Sequence, residues 1–257
     1  AVESVIIKMP GAIAFCISSQ VGCPVQCLFC ASGSIGFIRN LSAEEILEQF
    51  YLCVETNNDR PDNIVFMGIG EPLMNYSNLI EAIKILCSAN KIGMSPRRIT
   101  VSTSGFPLGI SKLAKEAMPL NLAVSLHAPD DITRAKLIPD KHRYPLSNIQ
   151  KAIKDYFSAT GRIVTLEYVL VDGINDSPDC AEKLAKFANQ CSAKINLIPL
   201  NETKISNFKA PTEKQIRDFE NFLITRRVNV TIRMKKGNSS YAACGQLVPH
   251  TPDKASI

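Results

Sequence analysis

An α/β fold, specifically a partial (βα)6-type TIM barrel followed by a C-terminal strand and a cysteine-bearing loop, is what this sequence predicts, on three observations. Short β-branched runs alternate with longer stretches of helical apolar spacing. No dinucleotide-type glycine turn marks a doubly wound sheet. Polar constellations recur just past the ends of the β-like runs, where barrel enzymes carry their chemistry.

In chain order, strands are expected over 12–18, 63–68, 98–104, 121–126, 163–170, 194–200 and 228–234, from their alternating or continuous apolar character. Helices are expected between them over 42–55, 76–89, 110–117, 146–159, 179–191 and 212–226. Ser42 followed by Glu45 reads as a capping box, and Thr212 opens an acidic amphipathic helix. Repeated βα units imply a parallel sheet. With no repeat, low-complexity tract or linker, one domain over 1–257 is expected: an N-terminal extension 1–11, a core barrel 12–227, and a C-terminal strand and loop 228–257.

Composition narrows the class. A chain of 257 residues, 46% hydrophobic, can bury a substantial core. Its formal charge of +5 suits a polyanionic partner without requiring one. No apolar run approaches the roughly 20 residues that span a bilayer, and no signal core opens the chain, so a cytoplasmic protein without a membrane partner, and a monomer, is expected. The chain opens on Ala1 with a strand-like run close behind, and an upstream segment is expected to be missing. Nine cysteines in a chain this long, three of them within eight residues, fit metal binding better than a disulfide framework.

Those three are Cys23, Cys27 and Cys30, in the run Cys23-Pro-Val-Gln-Cys27-Leu-Phe-Cys30. Three thiolates on a short loop can ligate three irons of a 4Fe-4S cluster and leave one iron open to a substrate. A structural zinc ion is the alternative, but it wants a fourth Cys or His nearby, and no His precedes His127. Phe29 either packs in the core or lies against a cofactor ring. The Gly68-Ile-Gly-Glu71-Pro72 turn could bring backbone and a carboxylate close to an ammonium group, or simply make a turn. Cys244, after Ala-Ala near the C-terminus, would by itself read as a small buried apolar residue, and Glu3 as a solvated carboxylate. Cys53, Cys87, Cys180 and Cys191 fall in helical patterns and read as core thiols. Of the basic pairs, Lys235-Lys236 carries the most weight for contacting phosphates because it leads into the Cys244 loop.

The cysteine loop resembles that of the radical S-adenosylmethionine (SAM) superfamily. The longer context is similar to the RlmN/Cfr adenine methylases: Cys16-Ile-Ser-Ser-Gln-Val-Gly-Cys23, Gly36-Phe-Ile-Arg-Asn-Leu41, Met67-Gly-Ile-Gly-Glu-Pro72, Ser102-Thr-Ser-Gly105, Ser125-Leu-His-Ala128, Asn196-Leu-Ile-Pro-Leu-Asn201 and Ala242-Ala-Cys-Gly-Gln-Leu247. The resemblance runs in order from Glu3 to Leu247. It implies SAM binding by Gly70, Glu71, Ser102, Ser125, Leu126, His127 and Asn201, and one 4Fe-4S cluster on Cys23, Cys27 and Cys30. It further implies two SAM molecules per turnover. One methylates Cys244; the other yields a radical that takes hydrogen from that S-methyl group, and the resulting carbon radical adds to adenine. In the same resemblance Cys16 forms a disulfide with Cys244 and frees the product, while Glu3 accepts the proton.

The expected activity is therefore methylation of adenine carbon 2 in 23S ribosomal RNA, and in transfer RNA, with electrons from a low-potential donor such as flavodoxin or ferredoxin. The carbon-2 branch resembles the chain better than the carbon-8 (Cfr) branch through Glu71-Pro72, Ser102-Thr-Ser-Gly105 and Ser125-Leu-His-Ala128. The family usually carries a small helical N-terminal accessory domain ahead of the matched region, and this sequence is expected to lack it. Lys236-Gly-Asn-Ser-Ser-Tyr241 and Pro139-Asp-Lys141 also depart from the family pattern. A rival of another class is a non-catalytic RNA-binding protein with a structural metal.

Overall fold

The computed structural model describes residues 2–202 and 206–233. The chain opens with an antiparallel pair, β1 (Val5–Met9) and β2 (Ala12–Cys16), turned at Gly11 with φ of 74°. Next come a two-stranded ribbon of β3 (Gln20–Gly22) and β4 (Phe37–Asn40), with the cysteine loop and a single turn, α1 (Ala31–Ser34), between them. From there helix and strand alternate. α2 (Ala43–Asn57) starts at the Ser42/Glu45 capping box and precedes β5 (Asn63–Phe66). α3 (Tyr76–Cys87), β6 (Ile99–Thr103), α4 (Pro107–Leu113) and β7 (Asn121–Ser125) follow. α5 (Asp131–Ala135), α6 (Leu146–Thr160) and β8 (Thr165–Leu170) lead to α7 (Pro178–Cys191), β9 (Lys194–Pro199), α8 (Glu213–Thr225) and β10 (Val230–Ile232).

The main sheet has eight strands in the order β1-β2-β5-β6-β7-β8-β9-β10, parallel throughout except for β1 against β2. Among the described residues β1 and β10 do not pair with each other, so the barrel is incomplete. The expected extension 1–11 is thus a sheet strand, added at an edge by a hairpin. The expected helix 110–117 begins three residues earlier, because Pro107 suits a first helical turn whose N–H groups have no partner.

Register sorts the side chains into two faces. Phe15, Ile64, Phe66, Val101, Leu122, Val124, Leu166 and Leu197 are buried in one core beneath the helices. The opposite face carries Cys16 beside Val65, Val65 beside Thr100, Ser102 beside Ala123, Ser125 beside Glu167, and Glu167 beside Asn196. A closed TIM barrel fills its interior with branched apolar side chains. Here the inner face is largely polar and small, as a wall that receives a ligand requires.

Candidate active site

One cleft of about 950 Å³, counted out to its open mouth, lies at the carboxyl ends of the strands. Cys23, Cys27 and Cys30 form part of its wall, and Gly70, Glu71, Ser102, Ser125, His127 and Asn201 form much of the rest. Leu126 differs: its side chain is fully buried in the helix-side core and does not line the cleft, so at this position only backbone can face a ligand. Cys16 ends β2 on the inner face but outside the cleft lining. The carbonyl of Glu3 accepts a 2.7 Å hydrogen bond from Ser18 Oγ, and its side chain does not line the cleft either. Cys244 and Lys235-Lys236 fall outside the described residues.

The glycine turn works by close approach. At Gly70 φ is 112°, and an added Cβ would fall 2.7 Å from Gln20 Cβ. Gln20 Oε1 in turn accepts the Glu71 N–H at 2.8 Å, fixing the turn against β3. The Glu71 carboxylate accepts from Leu73 N–H at 3.2 Å and Ser104 N–H at 2.6 Å, and so ties the end of β5 to that of β6. Burial raises its pKa against those hydrogen bonds.

His127 sits in left-handed backbone at φ of 57°. Its Nδ1 accepts from Val169 N–H at 3.1 Å, its carbonyl accepts from Asn175 Nδ2 at 2.7 Å, and Phe29 meets its ring edge-on at 5.0 Å. Phe29 is therefore buried packing that also lines the cleft. Burial, aided by the positive charge of Arg134, holds the His127 pKa down to about 3. Unfolded histidine titrates near 6.5, so between these values the unfolded chain binds a proton that the folded chain refuses. Stability is then present above about pH 6.5 and is lost as pH falls. Moving from pH 7 to pH 5 should cost about 2 kcal/mol from this group alone. Urea unfolding at both values checks it: His127→Asn should lack that increment, and equal losses in both proteins would sink the assignment.

Two residues that the motifs did not flag, Glu167 and Arg134, support this site, and Ser104, within the Ser102-Thr-Ser-Gly105 motif, lies on its wall. Glu167 lines the cleft, accepts from Asn196 Nδ2 at 2.7 Å, and has its pKa raised by burial, while Arg233 and Lys194 pull it back. A carboxylate within an apolar strand was a visible signal. Arg134, fully buried, donates from Nε to Leu126 O at 3.1 Å, from Nη1 to Tyr144 O at 3.1 Å, and from Nη2 to Ser104 O. The buried Ser104 Oγ lies on the cleft wall beside the Glu71 carboxylate, whose charged form it favours.

The thiols can be tested against the two metal alternatives. Among the described residues, no three His, Cys, Asp or Glu side chains converge so as to hold one ion. Three thiols along one wall of the cleft suit a cluster, whose irons each take a separate sulfur. Burial pushes the Cys23 thiol up to about 12 and the Cys27 thiol well above its ordinary value. Ligation by a metal therefore has to displace their protons. The Gly70 turn, Ser102, Ser104 and Ser125 add a polar cradle beside the thiols, and the residues present fit a cluster with a polar small molecule next to it.

An incomplete βα barrel with a three-cysteine loop after its first parallel strand, opening on a cleft at the strand ends, is the architecture of a radical SAM enzyme. Residues 17–188 match the radical SAM superfamily. A ribosomal RNA large subunit methyltransferase N from Nitrosopumilus maritimus is 45% identical over 235 residues, covering 90% of this chain and 67% of the relative. A probable dual-specificity RNA methyltransferase RlmN from Lachnoclostridium phytofermentans is 42% identical over 256 residues, covering 100% of this chain and 72% of the relative. The crystal structure of a radical SAM methyltransferase from Sphaerobacter thermophilus superposes with a TM-score of 0.91 at 42% identity, covering 95% of this chain and 73% of that one. The chain belongs to the radical SAM superfamily and, within it, to the RlmN family of RNA methyltransferases. A 4Fe-4S cluster and SAM are the cofactors that go with this membership. Among the described residues no helix is long and apolar enough to cross a membrane.

Proposed function

We propose that the protein methylates carbon 2 of an adenine in 23S ribosomal RNA, and in transfer RNA, through a methyl group carried on Cys244. The observation that carries this reading is the row of Cys23, Cys27 and Cys30 on one wall of a cleft that also holds the Gly70 turn, Glu71, Ser102, Ser104 and Ser125. Relatives named as ribosomal RNA and dual-specificity RNA methyltransferases support the substrate class.

When bound, the cluster and SAM supply a 5′-deoxyadenosyl radical. Cys23, Cys27 and Cys30 hold the cluster; Gly70 gives backbone access, and Glu71, Ser102, Ser125, His127 and Asn201 orient the cofactor. His127, neutral at physiological pH because it is buried, offers a hydrogen bond without a competing positive charge. Cys244 carries the methyl group and becomes tied to the base. The adduct radical would give up its unpaired electron to the bound cluster and Glu3 would take the proton from the adduct carbon; Cys16, as thiolate, would then attack the Cys244 sulfur, the sulfur–methylene bond breaking as the disulfide forms and the released methylene carbon taking up a proton to become the methyl group. The aromatic carbon has to be unpaired or extruded to reach the cleft.

Incubation of anaerobically reconstituted enzyme with 23S RNA fragments, SAM and reductant, followed by mass mapping of the digested RNA, tests the reading. The product expected is 2-methyladenosine. An 8-methyladenosine product would transfer the chain to the carbon-8 branch, and a cluster that forms but yields no 5′-deoxyadenosine would remove the enzymatic reading altogether.

A further inference from the structure

The loop from Cys23 to Cys30 divides two concavities. Cys23, Val25, Cys27 and Phe29 line the cleft, whereas Pro24 and Gln26, which alternate with them, line a separate groove of about 820 Å³ counted out to its mouth. The rest of that groove is aromatic, amide and basic. Phe37, 47% exposed, supplies a ring, and Lys141 and His142 belong to the same lining. Asn40 lines it too, its amide oriented by Gln20 Nε2, which donates to Asn40 Oδ1 at 2.8 Å. Among the described residues no carboxylate lines the groove. Neighbouring charges are matched, Arg39 by Glu45 and Arg143 by Asp140, whereas the exposed Lys141 has no ion pair among the described residues. Lys141 is also where Pro139-Asp-Lys141 departs from the family pattern, so this cation is the chain's own. An unpaired nucleotide needs a ring face for its base, amides for the base edge and a cation for its phosphate, and the groove supplies all three. A purely electrostatic protein contact would use the lysine but has no need of amides beside an aromatic ring.

An adenine that reaches the cleft has left its helical stack, and the nucleotides beside it are unstacked on that side. Cleft and groove share one wall, the cysteine loop, so a strand that sends one base into the cleft runs past the groove. We propose that the groove is a second nucleotide subsite, which takes an unpaired base beside the target adenine. The base stacks on Phe37, the Gln26 and Asn40 amides meet its edge, and Lys141 holds its phosphate. The choice of RNA is then set partly outside the reacting cleft, by a nucleotide that is not itself methylated. This inference rests on the RNA methylation reading above.

The test is equilibrium binding by the cluster-loaded enzyme of 23S RNA fragments carrying the adenine identified by mass mapping. The fragments are used intact, or with one nucleotide at a time beside that adenine made abasic. In wild type, one abasic position should weaken binding about tenfold, as loss of a stacked base does. Phe37→Ala should weaken binding of intact RNA by a similar factor and lose nothing further with that abasic RNA, because variant and lesion remove the same contact. Lys141→Ala should weaken binding of all the fragments alike and lower the slope of log Kd against log salt by about one. Losses from Phe37→Ala and from every abasic position that simply multiply overturn the proposal. So does binding of intact RNA that both variants leave within twofold of wild type, which would leave the groove to a protein partner. If Phe37→Ala does not load its cluster, Phe37→Leu, which keeps apolar volume and loses the ring, takes its place with the same expectation. A wild-type enzyme that binds none of the fragments removes the RNA reading and the proposal together. Wild type that binds and methylates them, with groove variants that behave identically, removes only the proposal.

Discussion

Cys27→Ala should yield a folded but colourless protein whose 5′-deoxyadenosine formation drops to background. The loop does not depend on its thiols for shape. Cys23 N–H donates to Gly36 O at 2.9 Å, Leu28 N–H to Leu137 O at 3.0 Å, and Cys30 N–H to Cys27 O at 3.0 Å. Val25 and Phe29 pack with Leu137, Ile138, Val169 and Ile198 in a second apolar cluster. Removing one half-buried thiol from that scaffold should cost on the order of 1 kcal/mol. Loss of one of three ligands, by contrast, leaves an iron without its sulfur. Cys53→Ala in α2, a buried core thiol remote from the loop in sequence, is the control and should keep colour and activity. Visible absorbance, iron content and thermal unfolding of the two variants separate these outcomes. Retention of both cluster and activity in Cys27→Ala would overturn the ligand assignment.

Much of this wall is legible in the sequence because local physics decides it. The strand ends at 68–72, 102–105 and 125–127 carry glycine, serine and histidine just where apolar periodicity stops, and all three segments line one cleft. The Ser42/Glu45 box and Thr212 start helices as their capping chemistry requires. Other features are set by distant contacts and leave no local trace. β3 and β4 are short and pair across the cysteine loop, with no alternation long enough to read. Arg134 follows Ile132 and Thr133 in a five-residue helix and looks like an ordinary surface residue; carbonyls contributed by Ser104, Leu126 and Tyr144 are what bury it. At Leu126 the position is at the rim while strand alternation sends the side chain into the core, which leaves the backbone to face a ligand.

Arg134→Met should produce the largest stability loss of any single substitution at this site. The guanidinium is fully buried, and burial brings its pKa down to about 10, still above neutral pH, so it remains charged. It holds the carbonyls that end β6 and β7 and the one that precedes α6, through Ser104, Leu126 and Tyr144. Removing a desolvated charge recovers some solvation free energy, and a well-packed apolar replacement can offset a lost ion pair. That offset does not reach the carbonyls, since methionine donates nothing, and each buried acceptor left unmade costs about 1–3 kcal/mol. The balance favours a net loss of about 3–5 kcal/mol, which at roughly 2–4 °C per kcal/mol for a chain of this size means a Tm lower by about 10 °C. Arg134→Lys keeps the charge but cannot reach three carbonyls from one planar fork, and should fall between the two. The same carbonyls position Ser104 and His127, so SAM affinity in the folded fraction should weaken along with stability. Calorimetry of the apoprotein and equilibrium SAM binding measure the two effects. A Tm for Arg134→Met within a degree or two of wild type would show that the strand ends hold without the guanidinium.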